Sequence, residues 1–411
     1  MDRLAPPGLD LGDPDTFDEG PPFTAWDRQR AAATVYEDFS AKLDCRFHSV
    51  IGWRESRSFL ANRTAFTSAY GVILGFSPEQ PDPAGGSMMM VTDGDRHAQL
   101  RSAMHAFFTP RRAAAFSVAL DQSFREHLRP QVDKESFDFA AEIAWRAPAM
   151  VSCAILGVPE ADAEELATLA MSVLNTESAD RTGPGEPSDR ARTEIVSRFK
   201  KMAASPRLRA GDSLTACLLA EEQAGRLTLY DVMVNLLSVL VAAHETTRLA
   251  LTGAMVCFGR NPSQLALLRS SSDRVPPATE EILRWTSPAL SVSRTALTHT
   301  EVGGVPVDAG EVVTAWLTAA NRDPAVYEDP HGFDIGRNSR PHVAFGHGMH
   351  HCIGASLART EISSLLRFLR SEVAGIEIAG DLATTHSRTV WGYRATPIKL
   401  ISLSPARRHF C

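Results

Sequence analysis

Between residues 96 and 174 apolar positions return every three to four residues, which predicts a run of amphipathic helices. Thr109-Pro110 and Gly157-Val158-Pro159 break the period and should end individual helices. A longer helix is predicted over 228–258, where Thr228 and Asp231 form a capping-box start and Gly259 and Pro262 stop it. At 1.5 Å per residue it would run about 45 Å and cross the whole molecule. Two more helices are predicted at 277–285 and 355–371, the second with Leu357, Ala358, Ile362, Leu365, Leu366 and Leu369 on one face. Residues 47–53 read as β-like, and 292–313 mix β-branched and turn residues around a hairpin turn at Val302-Gly303-Gly304-Val305. The first 40 residues, rich in Pro, Gly and Asp, read as a surface lead-in to a helix at 26–37. The Pro- and Gly-dense stretch 77–87 reads as a covering loop, and 177–189 as a mobile break between helices. The pattern predicts a mainly α chain with a smaller β-rich part.

Composition narrows the function classes. With 44% hydrophobic and 22% charged residues the chain is globular, and a net charge of -7 speaks against a nucleic-acid binder. The six cysteines include no C-x-x-C pair, and the first residues lack the basic and apolar regions of a signal peptide, so a reducing, cytoplasmic setting is expected. The apolar stretch 232–243 is short of the roughly 18 residues a membrane span needs and runs into His244 and Glu245, so it reads as a core helix.

The densest chemistry lies in Phe345-Gly346-His347-Gly348-Met349-His350-His351-Cys352-Ile353-Gly354, immediately before the last helix. Gly346, Gly348 and Gly354 permit a backbone path tight against a flat ligand. Cys352 sits at a helix N-terminus, where N–H groups and the helix dipole favour thiolate, a good iron ligand. An ordinary buried cysteine is the plainer reading of a lone Cys. Zinc is a further rival, since His347, His350, His351 and Cys352 are all possible ligands; against it, three histidines crowd one turn and no second Cys/His pair completes a usual site.

Phe345 to Glu361, FGHGMHHCIGASLARTE, resembles the haem-binding signature FGxGxHxCxGxxLAxxE of the cytochrome P450 family at every fixed position. The resemblance implies haem b with Cys352 as axial ligand, Phe345 near the sulfur and His350 near a propionate; a thiolate ligand favours O–O cleavage. Ala242-Ala243-His244-Glu245-Thr246-Thr247 resembles the oxygen-activation motif A-G-x-[DE]-T-T, with Ala243 in place of the usual Gly. Glu245 and Thr246 would relay protons and steer the chemistry to water loss rather than peroxide release. The bland reading of that stretch has threonine hydroxyls bonded to the i−4 carbonyl and Glu245 paired with Arg248. His97 and Arg101, in Asp93-Gly94-Asp95-Arg96-His97-Ala98-Gln99-Leu100-Arg101, match D-P-P-x-H-x-x-L-R apart from the two prolines, and Arg294 matches an R-x-A segment; all three would hold propionates, although a solvated base is the default for each alone. Glu281 and Arg284 match E-x-x-R, with Arg337 as the third member of a structural cluster.

The resemblance implies the cytochrome P450 fold over a single domain, residues 1–411, and a monooxygenase acting on a small or medium hydrophobic molecule such as a secondary metabolite intermediate. Coupling, desaturation and peroxygenase chemistry are alternatives; peroxygenases of the family typically carry Arg-Pro in place of the acid–alcohol pair kept here. A haem sensor is a remoter one. No flavin or nicotinamide fingerprint is present, so electrons are expected from a ferredoxin-type carrier with its reductase, docking near Arg101, Arg111, Arg112 and Arg359. Residues 70–90, 177–189, 289–292, Val390 and Trp391 are expected to line the substrate pocket. No membrane or nucleic-acid partner is expected.

Overall fold

The structure is a computed structural model that describes residues 9–174, 187–205, 211–337 and 341–403. Helices dominate, and the longest, Leu229–Arg260, is the axis around which the others pack. Thr228 caps it: its hydroxyl accepts from the Asp231 N–H while the Asp231 carboxylate accepts from the Thr228 N–H. At 32 residues it is about 48 Å long. Helices Arg146–Leu156, Ala163–Leu174, Leu214–Gln223, Val275–Thr286 and Ala355–Glu372 lie against it and share one apolar core that includes Leu236, Leu251, Met255, Phe258, Ile282 and Leu365. The expected breaks are present. Thr109 caps Pro110–Ala115 by accepting from the Arg112 N–H, and Gly157 ends Arg146–Leu156 with φ of 75°.

The β-rich part is a five-stranded sheet in the order Val35–Ser40, Cys45–Val50, Val312–Trp316, Ser291–Ala296, Phe66–Thr67. Only the pairing of Cys45–Val50 with Val312–Trp316 is parallel. The Val302–Val305 turn forms as expected, with Gly303 and Gly304 at φ of 56° and 79°, a left-handed pair that favours glycine.

Two expectations are corrected. Residues 1–40 are not a surface lead-in: within the described part, Leu11, Phe17 and Trp26 are fully buried and pack with Tyr36 and Trp316 in a separate aromatic cluster. The expected helix at 26–37 is instead Phe23–Ala32 followed by strand Val35–Ser40, which pairs with Cys45–Val50 and buries Tyr36, Asp38 and Ser40 on one face and Val35 on the other. Most of the 177–189 break lies outside the described residues, and its end already belongs to helix Pro187–Ala203, with Pro187 at the first turn. Among the described residues no helix is long and apolar enough to cross a membrane.

Candidate active site

The Cys352 loop is shaped by its backbone. Its amide donates to the Phe345 carbonyl at 2.9 Å, closing a loop in which Gly346 and Gly348 take φ of 67° and 77°. The glycines divide the work differently from the expectation. A side chain at Gly346 would meet open space, and one at Gly354 would lie 3.8 Å from Sγ of Cys352. One at Gly348 would collide with the Leu60 carbonyl at 2.6 Å, so that glycine lets the loop press on helix Trp53–Ala61 rather than on a ligand.

Cys352 is enclosed by protein on every side yet its own surface is accessible, as happens when a side chain faces an internal void. Burial pushes its thiol above the ordinary value; the N–H groups of Gly354 and Ala355 and the charges of Arg101 and Arg359 oppose the shift without cancelling it. The helix terminus therefore does not by itself secure a thiolate. A bound metal cation would. The long helix shows a matching opening: Ala242 is exposed and Ser238, Ala243 and Thr246 half-exposed midway along an otherwise buried element.

Around the loop gathers a group of bases. The His97 and His350 rings lie 4.4 Å apart, and His350 Nε2 is 2.8 Å from Asp93. Arg101 donates to the His351 carbonyl at 2.9 Å, and Arg294 projects from strand Ser291–Ala296 with its guanidinium over the Phe59 ring. Asp93 also accepts from the Thr67 hydroxyl and the Ser68 amide, at 2.6 and 2.7 Å. Burial would raise the Asp93 carboxyl, but the hydrogen bonds from His350, Thr67 and Ser68 outweigh it and hold it at about 2. His97 moves the other way. Burial first, then His350 and Arg101, depress it to about 4. Solvent scarcely reaches His97.

Three nitrogens in this group have no hydrogen-bond partner among the described residues: His97 Nε2, Arg294 Nε and Arg294 Nη2, all buried. Leaving buried donors unpaired costs about 1–3 kcal/mol each, more for a charged group. The nearby carboxylate, Asp93, is already bound to three other groups. A flat ligand that presents carboxylates to His97 and Arg294 and a metal to Cys352 fits this donor set. Zinc does not: the ligand atoms of His347, His350, His351 and Cys352 do not converge on one point, and His350 is turned to Asp93.

The remaining predicted residues make the following contacts. Glu245 and Thr246 do not face the void together. Glu245 is fully buried and held bidentately by Arg248 at 2.7 and 2.9 Å, while the Thr246 hydroxyl donates to the Ala242 carbonyl at 2.8 Å. These are the plain helix-interior contacts weighed above. Phe345 is half-buried beneath the Arg359 guanidinium, 4.7 Å from its ring. Of the four proposed docking arginines, Arg112 and Arg359 are paired with Asp212 and Glu280, Arg101 turns to the loop, and Arg111 stays exposed. The Trp391 indole donates to the Phe17 carbonyl and packs on the N-terminal cluster, and Val390 pairs with Ala289. Asp93, the hinge of the basic group, received no role in the sequence reading although it opens the segment that carries His97.

A family model described as Cytochrome P450 matches residues 189–370. Cytochrome P450 NovI of Streptomyces niveus is 31% identical over 336 residues, covering 82% of each chain. The chain belongs to the cytochrome P450 family. This P450 is also similar to the solved P450 OxyD, involved in the biosynthesis of vancomycin-type antibiotics, at 34% identity and a TM-score of 0.88 over 96% of this chain and 100% of that one. P450BioI, solved with an acyl carrier protein ligated to hexadec-9Z-enoic acid, matches at 25% identity and a TM-score of 0.82, covering 92% and 98%. The mainly helical fold with its small sheets is the P450 fold, and the chain is an oxidoreductase of the monooxygenase type whose family carries haem on a cysteine thiolate.

Proposed function

We propose that this P450 holds haem b through Cys352 and oxidises a small or medium hydrophobic intermediate of secondary metabolism, with electrons from a ferredoxin-type carrier and its reductase in the cytoplasm. The observation that carries the reading is the set of unpartnered nitrogens on His97 and Arg294 beside an accessible Cys352. In it His97, Arg101, Arg294 and His350 receive the propionates and Phe345 packs near the sulfur. Held by these residues, haem would supply oxygen-activating chemistry, with two electrons from the carrier and two protons needed for one oxygen atom to enter the substrate and the other to leave as water. Thr246 holds a proton at Oγ1 next to the open face, and Ala243 narrows that face where a glycine is usual. Glu245 resupplies the proton after its carboxylate leaves Arg248, so the pair with Arg248 is the resting arrangement.

Reconstitution with a ferredoxin and its reductase tests this. Thr246→Ala should divert most reducing equivalents to peroxide, by about tenfold or more in the peroxide-to-product ratio. Equal turnover with hydrogen peroxide alone, indifferent to Thr246→Ala and Glu245→Gln, would favour a peroxygenase instead; coupling or desaturation would show in the product.

A second reading concerns delivery. The helix Pro187–Ala203 exposes Arg190, Arg192, Lys200 and Lys201, none with an acidic partner among the described residues, while Arg198 is spent on Glu165 and Glu194. Such a face suits a partner with an acidic surface, and P450BioI is solved with an acyl carrier protein. A thioester substrate on an acidic carrier should then bind more tightly than the free acid, and the advantage should vanish when Arg190, Arg192, Lys200 and Lys201 are changed to Ala together. Equal binding of both forms removes this reading.

A further inference from the structure

The long helix carries a buried amide that the reaction does not require. Asn235 is 1% exposed and uses both ends of its side chain on the covering loop: Oδ1 accepts from the Met89 amide and Nδ2 donates to the Ser87 carbonyl, each at 2.8 Å. Nδ2 also donates to the Asp231 carbonyl at 2.7 Å, one turn back. The carboxylate of the same Asp231 holds Arg96 at 2.7 Å and so fastens the beginning of helix Gly94–His105. Ala84 and Val91 of the loop pack on Val234, with Val72 and Met88 beside them. The segment is therefore tied to the long helix by polar and apolar contacts together.

The position of these ties on the helix matters. At about 100° per residue, Asp231, Asn235, Ser238, Ala242 and Thr246 fall within an arc of roughly 80°. The stripe is covered by the loop at Asp231 and Asn235 and opens from Ser238 onward. Asn235 lies about 10 Å along the axis from Ala242 and about 16 Å from Thr246. The clamped loop thus ends the open stripe, with Met88 and Met89 half-buried at that edge.

We infer that Asn235 is a positioning residue that fixes the Ser87–Met89 backbone at the end of the open face, so that Met88 and Met89 form the wall that selects the ligand. Thioethers are polarizable and adaptable and make favourable contacts with rings, so the wall suits an apolar, ring-bearing molecule. The inference rests on the haem reading for the void itself, but the clamp can be measured without it.

Two measurements on the full chain as purified separate the steps. Amide hydrogen exchange across residues 84–92 reads the clamp, and Asn235→Ala should speed it about tenfold, as expected for two lost hydrogen bonds. Binding of 4-phenylimidazole and of imidazole, followed by the Soret shift, reads the wall. Asn235→Ala should weaken the phenyl compound about tenfold and leave imidazole within about twofold, and Met89→Ala should weaken the phenyl compound about fivefold with exchange unchanged. Should Asn235→Ala not fold, Asn235→Asp keeps the acceptor for Met89, loses both donated bonds and should show the same signs at about threefold. Unchanged exchange overturns the clamp. Faster exchange with equal loss, or no loss, for both probes overturns the wall. A Soret band that neither probe shifts in the unmodified chain counts against the haem reading, and exchange alone then decides the clamp.

Discussion

Two buried arginines in this P450 differ in what surrounds them. Arg284, 2% exposed, is fully engaged: it donates bidentately to Glu281, both at 2.7 Å, and to the carbonyls of Asn321, Pro330 and Gly332. Arg337 adds a contact to Glu281 at 3.4 Å and donates to the carbonyls of Glu328, Asp329 and Gly332. Arg294, 3% exposed, has two nitrogens with no hydrogen-bond partner among the described residues. The first arginine closes the structure around itself. The second keeps a charge that burial disfavours, pulling its pKa down with little relief from Asp93. Equal burial with unequal satisfaction separates a residue that holds the fold from one that holds a ligand.

The strongest way to break this contrast is to remove Arg284. Arg284→Ala leaves Glu281 buried without its bidentate partner and should cost about 3–5 kcal/mol, with or without haem. Urea unfolding with and without haem measures it. A loss that haem largely repaired would place Arg284 with the ligand-binding group. Arg294→Ala should behave in the opposite way. The apo chain should be no less stable, and haem affinity should fall by about 1.5–3 kcal/mol, roughly 10- to 150-fold, the worth of hydrogen bonds to a charged group. Haem transfer to an acceptor apoprotein reads this directly, and unchanged transfer with a less stable apo chain would make Arg294 structural.

A third effect is visible in pH. His97 is held at about 4 when folded, against 6.5 for the unfolded chain. Between these values the unfolded chain binds more protons, so stability falls as pH drops from 6.5 toward 4 and the contribution is complete above 6.5. His97→Gln should flatten that slope in the apo chain. Haem should flatten it too, since carboxylates beside the ring let it take its proton in the folded state. Identical slopes for the unmodified and His97→Gln apo chains would remove His97 from the group.

Much of this was legible in the sequence, and unevenly so. The long helix, its capping box and the Gly303-Gly304 turn follow from local rules, and the structure keeps them. The first 40 residues misled because Pro, Gly and Asp report turns and not burial; Leu11, Phe17 and Trp26 find their core only through Trp316, far along the chain. At the site, Cys352, His350, His97 and Arg294 could be named from motifs. Their satisfaction could not be, since an unpartnered nitrogen is a property of everything around it. The Glu245–Arg248 pair was visible as a spacing of three, yet only the burial of both side chains shows that the carboxylate is turned from the open face. Asn235 offered no signal, because its partners are backbone atoms of a loop about 150 residues away.

The smallest effect concerns the surface, where satisfaction carries little energy. Arg112 is paired with Asp212 at 2.7 Å, and both side chains are open to solvent. Water screens such a pair, and Arg112→Ala should change stability by no more than about 1 kcal/mol. If the face near the Cys352 loop receives an acidic electron carrier, the same substitution should slow association at low salt by a few fold and lose its effect near 0.5 M salt, at roughly the ionic strength where the Debye length drops below 5 Å. Stopped-flow reduction by the ferredoxin over a salt series measures it. Because Arg112 already has Asp212, its effect should be smaller than that of Arg111→Ala, whose exposed charge is free to meet the carrier. The reverse order would mean that the pair opens on docking, and that the satisfied-or-not distinction drawn from the two buried arginines does not extend to the surface.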